Sequence, residues 1–217
     1  MNMKKQFALF LIAAGLFTAA GGINESVFNN FLDDVHGVSE KTRGYLEFPR
    51  ELPGLLVVVM TGILAALPVT HLGVAGCVVL ALGMVGLGLF GGEWWPMVSM
   101  MVLASVGMHL LQPVGSSITI GLANEKTRGK RLGQMGAVGT LGMMLGAGFV
   151  WFFFFETGPA YRVAFFVAAG TALLAGLVLL AMHIPHLHQR RARLVVKKKY
   201  GLYYRWKCFS AHASRSS

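Results

Sequence analysis

Long apolar runs follow one another along the chain, separated by short polar segments. The runs are continuous, whereas membrane-spanning β-strands need segments of about ten residues that alternate in character. The pattern therefore predicts six helices, at residues 7–32, 45–67, 73–90, 96–122, 132–155 and 161–182. Unbroken apolar runs are typical of helices that cross a bilayer core of about 30 Å, so the predicted fold class is an all-α, polytopic membrane protein with six transmembrane helices.

The first run begins like a signal peptide, with Lys4 and Lys5 before an apolar segment that ends in small residues. Its apolar character continues to Phe31, beyond the length of a signal-peptide core, so we interpret it as a retained helix. In its second half Glu25 and Asn29 are four residues apart and share a helix face. An ionisable group inside a span is expected to face a cavity or a partner. The alternative is that Glu25 only touches water or headgroups at the outer surface.

The uncharged part of the second run is short, since residues 55–67 cover only about 20 Å at 1.5 Å per residue. The helix must therefore include residues 45–54, which places Glu47, Arg50 and Glu51 at or just inside the outer boundary. Glu47 and Arg50 are within reach of a local ion pair. They are predicted to be outer-cavity charges, or a plain surface cluster. The polar residues at 33–44 predict an outer loop.

The fourth run has the most polar interior, because His109 and Gln112 lie near its middle. Histidine side chains exchange a proton near neutral pH, so a titrating role is one interpretation and a structural helix–helix hydrogen bond is the other. A basic segment at 124–131 then predicts a loop. The fifth helix has a row of glycines, at positions that allow a neighbouring helix to pack closely: Gly133, Gly136, Gly139, Gly142 and Gly146.

Composition and charge agree with a membrane protein. The chain is 55% hydrophobic and 13% charged, against about 25% charged residues in soluble domains. The formal charge of +10 comes without a basic groove interleaved with aromatic residues, so no nucleic-acid partner is predicted. With the N-terminus inside, Lys and Arg number two near the N-terminus, four at 126–131 and nine after position 183, against four outside. This bias predicts that both ends are cytoplasmic.

No cofactor and no metal site are predicted. The histidines at 183, 186 and 188 have no carboxylate or cysteine beside them, and the two cysteines, Cys77 and Cys208, form no motif. Residues 1–183 are predicted to form the membrane bundle. Residues 184–217 are predicted to be a basic cytoplasmic tail, disordered or the aborted start of a seventh helix.

Six helices with short loops and a basic tail resemble the N-terminal half of a major facilitator superfamily transporter. The fourth helix of that superfamily often carries Arg-x-x-Gln-Gly, and residues 109–113 read His-Leu-Leu-Gln-Pro. The following loop often carries an Arg-Gly-x-x-x-Gly-like signature, and residues 128–133 read Arg-Gly-Lys-Arg-Leu-Gly. The chain departs from the family at the helix-4 arginine, at the glycine after it and in the acidic, arginine-rich segment between helices 2 and 3.

The resemblance implies two inverted three-helix repeats, with helices 1 and 4 in equivalent positions along a central cavity. It also implies transport of a small solute by alternating access, and no enzyme activity. The implied roles are charge balance or proton transfer at Glu25 and His109, substrate hydrogen bonding at Asn29 and Gln112, and support of the conformational switch at Arg128, Gly129 and Arg131.

The superfamily has twelve helices, so three explanations stay open: a truncated or frameshifted product, a homodimer, or a second chain that supplies the other half. The expected partners are the lipid bilayer, a small-molecule substrate and a second six-helix half. The expected location is the plasma (inner) membrane of a bacterium. The alternative functions are a non-transporting membrane subunit or remnant, and an intramembrane enzyme, although no G-x-S-x-G elbow is present.

Overall fold

A computed structural model describes residues 2–64, 67–154 and 160–183, without the side chains of residues 57–64. All regular secondary structure in these residues is helical. The helices are α1 (Met3–His36), α2 (Glu40–Leu64), α3 (Val69–Phe90), α4 (Trp94–Gly121), α5 (Arg128–Phe154) and α6 (Tyr161–Leu180). The predicted tail at 184–217 lies outside the described residues.

Five helices in the described part of the chain are long and apolar enough to cross a membrane: α1, α3, α4, α5 and α6. The prediction of an all-α fold is therefore confirmed at this level, and the chain is compatible with an integral membrane protein. The second helix, α2, is 25 residues long but carries many charged side chains in its first half, including Glu47, Arg50 and Glu51. The predicted count of six spans stays a prediction.

The predicted outer loop at 33–44 is wrong in its extent, because only residues 37–39 separate α1 from α2. Gly37 ends α1 in the left-handed conformation (φ 57°), where its N–H reaches the last carbonyls of the helix. Ser39 then accepts the Thr42 N–H at 3.3 Å, the contact of an N-cap residue. The two caps turn a polar stretch into two helix ends.

The predicted start of the fifth helix is also wrong, because α5 begins at Arg128 and not at residue 132. The Arg131 N–H donates to the Thr127 carbonyl at 2.9 Å, which closes the first helical turn. The prediction started the helix where the apolar stretch starts, but polar residues also form helices. The basic residues at 128–131 therefore belong to α5. Arg128, Gly129 and Arg131 therefore lie at the beginning of α5.

The core lies between α1, α3, α4 and α6, which pack closely against one another. One cluster of buried side chains joins the C-terminal halves of α1 and α3 to the N-terminal halves of α4 and α6. A second cluster joins the opposite halves. Helices α1 and α3 thus run antiparallel to α4 and α6. Helices α2 and α5 flank this core, with α2 packed chiefly on α4 and α5 chiefly on α1.

Glycines set the closest helix contacts. A Cβ added at Gly83 of α3 or at Gly107 of α4 would overlap the backbone of the facing helix. In α5, a Cβ at Gly142 or Gly146 would overlap backbone carbonyls of α1. The predicted packing role of the α5 glycines is confirmed at these two positions. It is wrong for Gly133 and Gly136, which have no described atom within 4 Å of such a Cβ.

Gly146→Ala is expected to destabilise the bundle by about 1–3 kcal/mol, because the added methyl group forces α5 away from α1. Without such a contact, Gly→Ala inside a helix stabilises by about 1 kcal/mol. The measurement is the midpoint of thermal unfolding in detergent. Gly148→Ala is the matched control, since a Cβ there meets no described atom within 4 Å. A Gly146→Ala protein as stable as the control would contradict this packing.

Candidate functional site

Arg50 of α2 is the centre of a cluster of charged side chains. Its Nε lies 3.1 Å from Glu47 Oε2 and 3.8 Å from Glu51 Oε1. Its Nη1 lies 3.5 Å from Glu25 Oε1 on α1. The predicted ion pair between Glu47 and Arg50 is therefore confirmed. The arginine also joins α2 to α1, two helices that otherwise make few contacts with each other.

His109 of α4 extends the cluster to a third helix. Its Nε2 lies 3.5 Å from Glu51 Oε2, and its side chain is 16% exposed. Gly54 packs against the imidazole, because a Cβ added there would lie 2.8 Å from the ring Cε1. The position of this ring therefore depends on the absence of a side chain at Gly54.

Ser105 fixes α2 against α4 beside the cluster. This buried side chain is 5% exposed, and its hydroxyl donates to the backbone carbonyl of Arg50. Two prolines, Pro49 and Pro53, lie in the same part of α2 and each removes one backbone donor from the helix. The hydroxyl of a neighbouring helix is a usual partner for backbone near such prolines in a membrane.

A cavity of about 190 Å³ lies between α1, α2 and α4. Polar side chains from all three helices line it: Asn24, Glu25, Arg50, Glu51, Ser105, His109 and Gln112. The rest of its wall is mainly apolar and includes Phe28, Leu87 and Met101. His109 lies 15 residues after the start of α4 at Trp94, about 22 Å along the helix axis. The cavity therefore reaches well inside the bundle.

Asn24 is more deeply buried than the charged groups around the cavity. It is 8% exposed, and its side-chain oxygen Oδ1 has no hydrogen-bond partner among the described residues. A buried acceptor without a partner costs about 1–3 kcal/mol. Such a cost at a cavity wall is typical of a site that is completed by water or by a ligand.

The structure brings together Glu25, His109 and Gln112, three of the four residues predicted for the substrate or proton pathway. Asn29 does not line this cavity. It lies nearer the C-terminal end of α1, where its backbone carbonyl accepts a hydrogen bond from Arg43 Nη2 at 3.2 Å. Gln112 lies between this cavity and a second, more apolar one of about 230 Å³ between α1, α4 and α5.

Sequence reasoning did not place Asn24 or Ser105 in the site, and it placed Glu51 at the outer boundary without a role in the site. Asn24 directly precedes the predicted site residue Glu25, and Glu51 directly follows the predicted site residue Arg50. Adjacency on a helix separates two side chains by about 100°, so only the packing of the bundle reveals that both members of each pair face the cavity. Ser105 lies one turn before His109 and shares its helix face. Of the three residues, it is the one that the sequence could have indicated.

The predicted switch residues lie away from the cluster, at the start of α5. Arg128 and Gly129 are exposed. The guanidinium of Arg131 lies over the Phe7 ring of α1, with 3.9 Å between its Cζ and the ring centroid. This cation–π contact connects α5 to the first turns of α1.

In the described part of the chain, no three His, Cys, Asp or Glu side chains are placed so that they could hold a metal ion. The histidines at 186 and 188 lie outside it. The chain matches no protein-family model and no curated protein sequence.

Gly54→Ala is expected to displace the His109 ring, because the new Cβ would lie 2.8–3.2 Å from three of its atoms. The measurement is the ¹³Cε1–¹H resonance of His109 in histidine-labelled protein, assigned by its loss in His109→Ala. Gly44→Ala, on the same helix with no described atom within 4 Å of its Cβ, should leave the resonance in place. Identical spectra for both glycine variants would show that the contact is absent.

Arg50→Gln is expected to lower the free energy of unfolding by about 1 kcal/mol, because it leaves three carboxylates, 38–57% exposed, together without their cation. Lys41→Gln, an exposed residue of the same helix, should change it by less than about 0.5 kcal/mol. Adding Glu47→Gln to Arg50→Gln should recover part of the loss. Equal stability of the two single variants would show that the ion pairs of Arg50 do not stabilise the fold.

Proposed function

We propose that the chain is a six-span, N-in/C-in half of a secondary transporter of the major facilitator type, which moves a small solute by alternating access. The observation that carries the proposal is the ionic cluster of Glu25, Arg50, Glu51 and His109 around a cavity in an otherwise apolar bundle. Charged groups inside membrane spans are costly and are usually retained for a substrate or ion pathway.

The helix contacts support the inverted repeat. Exchanging α1 with α4, α2 with α5 and α3 with α6 turns each extensive contact into another one: α1–α5 into α4–α2, and α3–α4 into α6–α1. The contact of α3 with α6 maps onto itself. The glycine contacts follow the same exchange, since Gly146 of α5 packs on α1 as Gly54 of α2 packs on α4. A transporter repeat places its substrate cavity between such halves.

The two cavities support a path along the bundle. Gln112 of α4 lines both of them, so a single side chain lies between the polar cavity and the apolar one. The apolar cavity extends along α1 toward Phe10 and along α5 toward Met135. A path of this kind connects the cluster to the end of the bundle where α1 and α5 begin.

The exposed face of α5 supports a partner. In the most apolar 18-residue stretch of α5 only 11% of the residues are buried within this chain, against 61% in that of α3. A second six-helix unit that covers α2 and α5 would close the cavity on its open side, as a second copy or as another polypeptide. The contact of Arg131 with Phe7 would then connect movement of α5 to α1.

The test is uptake by proteoliposomes of the full chain, with labelled putrescine, succinate and glucose as probes of three charge classes. We expect saturable uptake of one class above empty vesicles, reduced about tenfold or more in Glu25→Gln and in His109→Ala, since charge-assisted contacts of this kind contribute that much. Glu40→Gln, an exposed carboxylate at the start of α2, is the control and should retain uptake.

Unchanged uptake in both site variants would remove Glu25 and His109 from the mechanism. No uptake of any class by folded, reconstituted chain would favour the alternative function, a membrane subunit that does not transport by itself.

A further inference from the structure

The charged cluster beside the cavity carries an excess of negative charge. The carboxylates of Glu25, Glu47 and Glu51 all lie within 3.8 Å of one guanidinium, that of Arg50. His109 adds a positive charge only when it is protonated. The formal sum is therefore −2 with a neutral imidazole and −1 with a protonated one. A cation is attracted in either state, and most strongly where the surroundings exclude water.

Hydrogen-bond acceptors also outnumber donors in the cluster. Only the contact from Arg50 to Glu47, at 3.1 Å, has the length of a hydrogen bond, whereas the other three ion pairs are 3.5–3.8 Å long. A carboxylate has about four acceptor positions and no donor. Within the described residues, no hydrogen bond of normal length occupies the carboxylates of Glu25 and Glu51. Both groups line the cavity.

Asn24 gives an independent indication of the ligand. Its side chain is 92% buried, lines the same cavity and has an Oδ1 atom without a described partner. A carbonyl oxygen accepts hydrogen bonds and donates none. The partner that this oxygen lacks is therefore an N–H or O–H donor, the kind of group that the neighbouring carboxylates also attract.

The size of the cavity limits the ligand. Its volume of about 190 Å³ is below the roughly 300 Å³ at which sites for drug-sized ligands begin. The apolar side of the wall, with Phe28, Leu87 and Met101, suits a short alkyl group.

We infer that this cavity binds a small organic cation with N–H donors, a primary ammonium or guanidinium group on a short alkyl chain. The cationic group lies between Glu25 and Glu51, one N–H donates to Asn24 Oδ1, and the alkyl chain contacts the apolar wall. The inference deepens the proposed function and rests on it, since the bound cation is the transported solute. An anion would find a single guanidinium that already has three carboxylates as partners.

The test is ligand-induced stabilisation of the full chain in lipid nanodiscs, which needs no transport. The probes are ethylammonium chloride, tetramethylammonium chloride and sodium acetate, titrated at constant ionic strength, with the unfolding midpoint as the readout. A ligand that binds only the folded state raises the midpoint along a saturation curve. We expect such a curve with ethylammonium, and none with the cation that lacks N–H groups or with the anion.

Variants identify the atoms that bind. Asn24→Leu preserves the side-chain volume and removes the acceptor, so we expect the apparent Kd for ethylammonium to rise about tenfold or more. The same variant should unfold no earlier than the parent without ligand, because it also removes an unpaired polar atom. Glu25→Gln should raise the Kd to a similar extent. Asn30→Leu, an exposed asparagine of the same helix, should leave it unchanged.

Three results would overturn the inference: stabilisation by acetate instead of ethylammonium, equal stabilisation by ethylammonium and tetramethylammonium, or the same Kd in Asn24→Leu and Asn30→Leu. Its failure is distinct from failure of the proposed function. Binding without any uptake by proteoliposomes would contradict transport alone. Uptake of succinate or glucose that depends on Glu25, without ethylammonium binding, would contradict the cation alone.

Discussion

Arg50 contacts the three helices that surround the cavity, α1 and α2 through its guanidinium and α4 through its backbone carbonyl. It is 22% exposed and has carboxylates from α1 and α2 around it, while Ser105 of α4 bonds its backbone carbonyl. A charge in a low-dielectric environment is tolerated only when it is paired. The position of α2, which packs largely on α4, therefore depends on the ion pair from Arg50 to Glu25 of α1 and on the contacts of Ser105 and His109 of α4.

The glycines determine where this arginine can act. Close contact at Gly83 and Gly107 joins α3 to α4, and close contact at Gly142 and Gly146 joins α5 to α1. These contacts place α2 and α5 outside the core of α1, α3, α4 and α6. A gap is left between α1, α2 and α4, where Gly54 leaves room for the His109 ring. The polar side chains meet in this gap because the backbones elsewhere touch.

The sequence was sufficient for the existence of the helices and for most of the charged cluster, because apolar runs and ionisable residues within them are local signals. It was not sufficient to show which face of α1 points toward the cavity, and the prediction of Asn29 instead of Asn24 as a site residue shows why. Gly22 faces Met143 of α5. Asn29 comes seven residues later, close to two full turns, and so lies on nearly the same side of the helix as Gly22. Asn24 comes two residues after Gly22 and so lies on nearly the opposite side of the helix, and only the α1–α5 contact reveals that this side faces the cavity.

The lengths of the ion pairs matter for a site that must release its ligand. Three of the four contacts in the cluster are 3.5–3.8 Å long, so little hydrogen-bond energy is lost when a bound cation takes the place of Arg50 beside Glu25 or Glu51. The bound cation adds one positive charge, so the formal sum of the cluster changes from −2 to −1 with a neutral His109, and Arg50 keeps its 3.1 Å pair with Glu47. Since a buried charge without a partner is far more costly than a buried pair, such an exchange allows a cation to enter and leave. A tighter network would stabilise α2 more, but it would resist the ligand that the surplus carboxylates attract.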